Sequence, residues 1–470
     1  MKEELVRDLA SIVGEDWIIL EEEKIFGYLY DQTPNPMKPE PSKDVVVVKP
    51  KNAEEVSKIL LVANKYRIPV FPRGGGTGLA AACMPTMSGI ILSLERMNKI
   101  NVDEGNLMAE AEAGATLGDL IKAAEEAGLF FPLHPGDEGA HIGGLIACNA
   151  GGVRAVKTGV MRNYVKGIEV VLPTGELLTL GGKLVKNNAG YDLMQLIIGS
   201  EGTLGIITKA WIRLQPKPQA SATIIVPFKD RRQALEFVPK IFQSGVFPLA
   251  IEYMEKDLVD QTAEILGMSW PCKEGEHHLM IILAEPSEEA LLTECEKLMD
   301  LCERIGVSEP VIAERREEQA NILKIRSEIY SALKDQLIDI LDTTVPPAKM
   351  VDLIEIVDEL AKKYETYIPA FGHAGDGNLH LHIMRKEGWS KEDYFRLRDE
   401  IYEKTVQLGG TITGEHGIGY IRKECFKKFV DKKALELMKK IKRVFDPNNI
   451  LNPDKIFPEP NTSNHQSIEE

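Results

Sequence analysis

The segment GHAGDGNLHLH (372–382) gathers His373, His380 and His382, three of the nine histidines of the chain, within ten residues. Asn378, His380 and His382 alternate with Leu379, Leu381 and Ile383. That period of two places the three polar side chains on one face of a strand. His373 stands across the AGDG turn, near enough to converge on the start of the strand. A fourth histidine, His416, follows Glu415 in GEHG (414–417). Glycines bound both segments and let backbone come close to a ligand. Two imidazoles and a carboxylate are a common donor set for a divalent first-row metal. The plainer reading is four hydrogen-bonded histidines packed between domains; their gathering in two glycine-bounded segments favours the metal.

A second chemistry is written in glycine. FPRGGGTGLAAACMP (71–85) places four glycines in five residues after a strand. Such a nest exposes backbone N–H groups that wrap a pyrophosphate. A Walker loop needs Lys after its last Gly, and Leu79 follows Gly78 here, so that reading fails. GTGLAA nearly fits the dinucleotide fingerprint, but Pro85 arrives too early for the long helix that fingerprint requires. A purely structural turn is the remaining alternative for this loop alone. HPGDEGAHIGGLIACNAGG (134–152) and GSEGTLG (199–205) repeat the pattern. Three nests in one region point to a ligand larger than one phosphate, of the size of FAD.

Ordinary elements must position these loops. VVVV (45–48), AEEVSKILLVANKY and IPVFP read as a β-α-β unit, with Asn52 or Ala53 opening the helix. TLGDLIKAAEEAG (116–128) reads as a helix capped by Thr116 and Gly128. IEVVLPTGELLTL (168–180) reads as a hairpin, and LGIITKAWIRLQP (204–216) as a strand. Residues 71–205 hold 24 of the 39 glycines and 206–371 only four, so a different kind of domain begins near Pro216–Pro218. From there strands and helices alternate, as in an antiparallel sheet with helices on one face. KKALELMKKIKRVF (432–445) is a basic helix, read as solvated on its charged face. EPNTSNHQSIEE (459–470) reads as a disordered tail.

The bulk properties narrow the class. A chain of 470 residues exceeds one comfortable core, so two or three domains are expected. A net charge of −16 argues against broad nucleic-acid binding and against general adhesion to anionic membranes. No run of 18 apolar residues predicts a spanning helix, and the first residues read as an amphipathic helix rather than a signal peptide. The six cysteines are scattered, with no C-x-x-C pair. That fits a reducing cytoplasm and leaves no place for a zinc ribbon or a ferredoxin-type cluster.

PRGGGTG, IGG…CNAGG and GSEGTLGIIT, in that order, resemble the vanillyl-alcohol oxidase/p-cresol methylhydroxylase flavoprotein superfamily. GHAGDGNLHLH, TITGEHGIGYIR and the ending FDPNNILNP are similar to its glycolate oxidase and D-lactate dehydrogenase group. The likeness runs over roughly 40–457. It implies an α+β chain: an FAD-binding domain of two subdomains (1–218), a cap domain with an antiparallel sheet covered by helices (219–425), and a C-terminal segment (426–470) returning to the FAD domain. It implies that Arg73, Gly74, Gly75, Gly76, Thr77 and Gly78 hold the pyrophosphate. Pro135, Gly136, Asp137, Ile142, Gly143 and Gly144 would run along the flavin, and Asn149, Gly152, Glu201, Gly202 and Ile206 would complete the site. His134-Pro135-Gly136-Asp137 departs from the Asp-Pro-Ser that members commonly carry. With His134 and His141 nearby, covalent attachment is left open, and non-covalent FAD is the expectation.

The resemblance also assigns roles. His373, His380 and Glu415 match ligands of one divalent metal (zinc, manganese or iron), and His416 matches the catalytic base. Arg326, in NILKIRSEIY, matches a carboxylate clamp; Tyr330, one helical turn on, is expected in the same pocket. His382 is expected to be a further ligand, to support one, or to meet the substrate. The implied reaction is oxidation of a D-2-hydroxy acid to the 2-oxo acid, with hydride passing to flavin N5. Relatives acting on diacids carry a lysine before an Asp-x-x-x-Pro segment; IDILDTTVPP (338–347) has none, which favours D-lactate or glycolate. Without cluster cysteines, the electrons are expected to leave to a partner, an electron-transferring flavoprotein or a separate iron–sulfur subunit, with a quinone as the third alternative. The sequence leaves homo-oligomerisation, electron bifurcation and metal identity open. The competing readings are an alkylglycerone-phosphate-synthase-like transferase, a metal hydrolase with structural glycine loops, and a non-catalytic flavin scaffold protein, which lacks the histidine cluster.

Overall fold

Four consecutive valines, Val45–Val48, form a strand buried along its whole length, as a β-branched run between packed layers must be. This computed structural model describes residues 3–458, so the tail 459–470 lies outside the described residues. Asn52 caps the next helix, Ala53–Tyr66, by accepting from the Glu55 amide at 2.9 Å. The chain returns as the strand Val70–Arg73. Both strands pair in parallel with Gly89–Ser93, which lies between them, and Ile18–Ile19 completes a four-stranded sheet. The amphipathic helix Glu3–Val13 buries Leu5, Leu9 and Val13 in the same core.

A five-stranded antiparallel sheet follows, in the order Ile100–Asp103, Met108–Glu112, Ile206–Arg213, Val165–Val171, Leu177–Gly181. Its last two strands are the expected hairpin. The helix Leu117–Glu126 packs on it, opened by a capping box of Thr116 and Asp119. Gly128, at φ +71°, ends that helix just past its last turn, where the left-handed conformation favours glycine. Ala113, Val171 and Ile206 join the core of the four-stranded sheet, so the two sheets pack as one body.

The third sheet has seven antiparallel strands, ordered Val311–Ala313, Ala220–Phe228, His277–Glu285, Ala250–Glu255, Ala370–His373, Asn378–Met384, Leu337–Thr344. Ile224, Val226, Ile281, Leu379, Leu381 and Ile383 face the helices Arg231–Gln243, Glu288–Ile305, Met350–Lys363 and Lys391–Gln407. Ile225, Met254, Met280 and Phe371 point the other way, toward the helices Lys256–Ile265, Arg316–Ser327 and Ile329–Leu333. Helices therefore cover both faces, where the sequence pattern suggested only one. The second layer is hard to read because Arg316–Ser327 is largely charged and buries only Ile322, Ile325 and Arg326.

The helix Lys432–Phe445 packs Ile441 and Phe445 against the core of the five-stranded sheet, and Leu451 bridges to Val70. Buried Lys442 donates to the carbonyls of Thr203 at 2.9 Å and Leu451 at 2.8 Å, and pairs with Asp446 at 2.5 Å. Among the described residues no helix is long and apolar enough to cross a membrane.

Candidate active site

The three glycine loops enclose one cavity of about 250 Å³. Arg73 through Gly78, Pro135, Asp137, Gly143, Gly144, Glu201, Gly202 and Ile206 line it. So do His141, Cys83, Cys148 and, from the far end of the chain, Glu415, His416 and Asn452. Two glycines are indispensable to the shape. A Cβ on Gly75 would stand 2.6 Å from the Gly139 carbonyl, and one on Gly143 would stand 2.7 Å from Ala113 Cβ. A cavity walled by backbone and glycine suits a dinucleotide carrying a pyrophosphate.

Gly136, Ile142, Asn149 and Gly152 do not line the cavity. Ile142 is fully buried in the core of the five-stranded sheet, and its amide is bonded to the Ala115 carbonyl. Asn149, left-handed at φ 52°, ends the helix Ile142–Cys148 and accepts from the Arg162 amide. Gly152, at φ +112°, packs against His134 and Pro135. These residues shape the loop rather than its inner wall. Of the two histidines beside this loop, His141 lines the cavity and His134 does not.

Against one end of the cavity stands the histidine cluster. Asn378–Met384 presents Asn378, His380 and His382 on the face opposite Leu379, Leu381 and Ile383, and all are buried. His373 closes the neighbouring strand, across the turn. The GEHG loop is held over this face by Asp342, fully buried in Leu337–Thr344. Asp342 Oδ2 accepts from the Thr413 hydroxyl at 2.7 Å and from the amides of Gly414, Glu415 and His416 at 2.9, 2.9 and 2.8 Å. Its Oδ1 accepts from Asn378 Nδ2 at 2.8 Å.

The result is a convergence on one atom. Glu415 Oε1 lies 3.2 Å from His373 Nε2, 3.3 Å from His380 Nε2 and 3.7 Å from His416 Nε2. The Nδ1 side of each ring faces a second carboxylate: Glu252 at 2.8 Å for His373, and Asp342 at 3.5 Å for His380 and 3.8 Å for His416. The His380 and His416 rings stack, 5.0 Å between centroids and 8° apart. Burial works against charge on His373, but Glu252 and Glu415 hold its imidazole well above the ordinary value. Burial likewise opposes charge on Asp342, yet His416, His380 and the Thr413 hydroxyl hold its carboxyl well below the usual range. Burial, only partly offset by Asp342, pushes His416 down to about 4, so that ring is neutral at pH 7. His382 is fully buried and packs edge-on to Phe371 at 4.9 Å, with neither ring nitrogen hydrogen-bonded. Burial pushes its imidazole down to about 3.

Arg326 reaches the cluster from the helix Arg316–Ser327, but its Nε and Nη2 go to Glu252 at 2.6 and 2.5 Å, and Nη2 lies 3.4 Å from His373 Nδ1. Tyr330 donates its hydroxyl to the Gln32 carbonyl at 2.6 Å, which fastens the seven-stranded sheet's helices to a loop beside the cavity. Sequence reasoning missed Glu252 and Asp342. Both are buried acids beside apolar neighbours in their strands, AIEYME and LIDILDTT, a mismatch shared by Glu255 and Asp339 in the same strands.

Fold and cavity together define a flavin-binding protein. The family model described as "FAD binding domain" matches residues 45–181, and that described as "FAD linked oxidases, C-terminal domain" matches 217–456. A D-lactate dehydrogenase of Archaeoglobus fulgidus is 43% identical over 430 residues, covering 92% of this chain and 95% of that protein. Glycolate oxidase subunit GlcD of Bacillus subtilis is 37% identical over 440 residues, covering 92% of each. The crystal structure of p-cresol methylhydroxylase with substrate bound is alike in fold, with a TM-score of 0.77 at 17% identity, covering 97% of this chain and 96% of that one. The chain belongs to the FAD-linked oxidase family and is an FAD-dependent oxidoreductase of the vanillyl-alcohol oxidase/p-cresol methylhydroxylase fold.

Proposed function

We infer that the chain oxidises a small 2-hydroxy monocarboxylic acid, D-lactate or the achiral glycolate, to the 2-oxo acid. The observation that carries this reading is the meeting of three imidazole Nε2 atoms at Glu415 Oε1, on the wall of the glycine-loop cavity. The names of the two relatives, a D-lactate dehydrogenase and a glycolate oxidase subunit, agree with it.

The residues present fit both groups the reaction needs. The loops Arg73–Gly78, 134–152 and 199–206 would hold FAD. His373, His380 and Glu415 would hold a divalent cation: their donor atoms all lie within 4.8 Å of one another, and two imidazoles with a carboxylate suit such an ion. When bound, FAD supplies the acceptor for the α-hydrogen and its electron pair, and the cation supplies charge that acidifies the substrate hydroxyl. The protein supplies the rest. His416, neutral and on the cavity wall, takes the hydroxyl proton at Nε2. Asp342 holds its backbone amide, and the stacked His380 ring lies alongside its imidazole. Arg326 directs its remaining N–H donors to the substrate carboxylate. His382, fully buried against Phe371 and away from the cavity wall, would act only as packing behind the cluster.

A small substrate is favoured because the strand Leu337–Thr344 brings no basic residue for a second carboxylate. With six free cysteines and no paired cluster motif, the electrons are assigned to a partner protein, an electron-transferring flavoprotein or an iron–sulfur subunit.

The test is an anaerobic titration of the purified yellow protein with D-lactate, L-lactate, glycolate and 2-hydroxyglutarate, followed by flavin absorbance. Bleaching by D-lactate or glycolate at the lowest concentrations is expected. A flavin that none of the four bleaches, or that only 2-hydroxyglutarate bleaches, rejects the proposal.

A further inference from the structure

We propose that Glu252 is a positioning residue that fixes the ring tautomer of His373 and thereby sets the affinity of the site for its cation. This rests on the metal reading above and goes beyond it to a residue that touches neither cation nor substrate. Glu252 stands in the strand Ala250–Glu255 with no exposed surface. Its two oxygens are divided: Oε1 lies 2.8 Å from His373 Nδ1, and Oε2 takes Arg326 Nε and Nη2 at 2.6 and 2.5 Å.

An ionised carboxylate only accepts hydrogen bonds, and the permanent guanidinium charge of Arg326 keeps this one ionised. When a cation takes Nε2, the one hydrogen left on the His373 ring therefore sits on Nδ1, 2.8 Å from Glu252 Oε1. Arg326 Nη2, 3.4 Å from that nitrogen, is then a second donor beside it; both serve Glu252 rather than each other. Nε2, 3.2 Å from Glu415 Oε1, is then the nitrogen that shares the cation with that oxygen. Glu252 thus chooses which nitrogen of His373 is the ligand atom. A glutamine there keeps the shape but offers one acceptor where three donors meet, and its own NH₂ group faces the others. That frees the ring to adopt the other tautomer, with hydrogen on the nitrogen that should bind the cation. Orienting partners of this kind are worth about 10–100-fold in metal affinity.

The experiment measures Zn²⁺ affinity of the FAD-loaded protein by chelator competition, with metal content read by elemental analysis, for wild type and Glu252→Gln. The variant is expected to keep its flavin spectrum, to bind Zn²⁺ about 10–100-fold more weakly, and to recover bleaching in excess Zn²⁺ only at raised D-lactate concentration, since Glu252 also holds Arg326. Wild-type affinity in Glu252→Gln overturns the role of Glu252 and leaves the metal reading standing. A wild type that binds no Zn²⁺ while D-lactate bleaches it overturns both. Should the variant lose FAD or fail to fold, ¹⁵N NMR of the histidine rings in the Zn²⁺-loaded wild type decides. A His373 ring protonated at Nδ1, assigned by its loss in His373→Asn, supports the proposal; protonation at Nε2 sinks it.

Discussion

One carboxylate oxygen, Glu415 Oε1, faces three imidazoles, and each imidazole has its back to a second buried carboxylate. That division separates roles by residue. His416 lines the cavity, whereas His373 and His380 stand behind Glu415. His416→Ala should keep FAD yet slow substrate bleaching by about 10²–10⁴-fold, the usual worth of a positioned base; stopped-flow absorbance under argon checks this. His380→Ala should lose the cation, read by elemental analysis. Dialysis of the wild type against a chelator should likewise stop bleaching without altering the oxidised flavin spectrum, and added Zn²⁺ or Mn²⁺ should restore it. Undiminished bleaching after complete metal removal would leave the histidines only a structural part.

The elements explain why such groups can be held so closely. Period-two alternation in Asn378–Met384 was visible in the sequence, and it does put Asn378, His380 and His382 on one face. The turn 374–377 returns His373 to the same end because Ala370–His373 pairs directly with that strand. Glycine does the corresponding work in the loops. Gly143→Ala would press a methyl against Ala113, at 2.7 Å before relaxation, where the loop meets the junction of the two smaller sheets. The expected outcome is purified protein with less than stoichiometric FAD and a lowered melting temperature, measured by the ratio of flavin to protein absorbance and by thermal unfolding. Full flavin loading in Gly143→Ala would show that the loop yields without disturbing the cavity. The charged helix Arg316–Ser327 was less legible, since a helix that buries an arginine against Glu252 shows little apolar period.

Across the whole molecule, Glu201 ties the middle of the chain to its C-terminal part. It projects from the third glycine loop, at φ 52°, and its carboxylate accepts from the amides of Ile418 at 2.8 Å and Gly419 at 2.6 Å, just past the GEHG loop. Its carbonyl accepts from Asn452 Nδ2 at 2.8 Å. The resemblance marked Glu201 as a cofactor residue; its side chain also carries the joint between the third glycine loop and the segment that follows GEHG. Glu201→Ala leaves two buried amides without partners. A cost of about 1–3 kcal/mol per unsatisfied group is expected, read as a lower melting temperature together with slower bleaching. Unchanged melting and rate would show that the joint is held by other contacts.

The sequence by itself determined what is local. The glycine nests, the caps at Asn52 and Thr116, the strand bearing three polar residues on one face, and the acid–histidine pair in GEHG depend on conformational preferences within a few residues, and these are written in the chain. Only the tertiary structure decided which distant groups meet. Glu252 and His373 are 121 positions apart, Asp342 and His416 are 74 apart, and Glu201 and Gly419 are 218 apart. Their encounters follow from sheet register and from the burial of apolar faces that contain none of these residues. A buried carboxylate must find its donors wherever the packing of its strand carries it, and no spacing along the chain announces where that is.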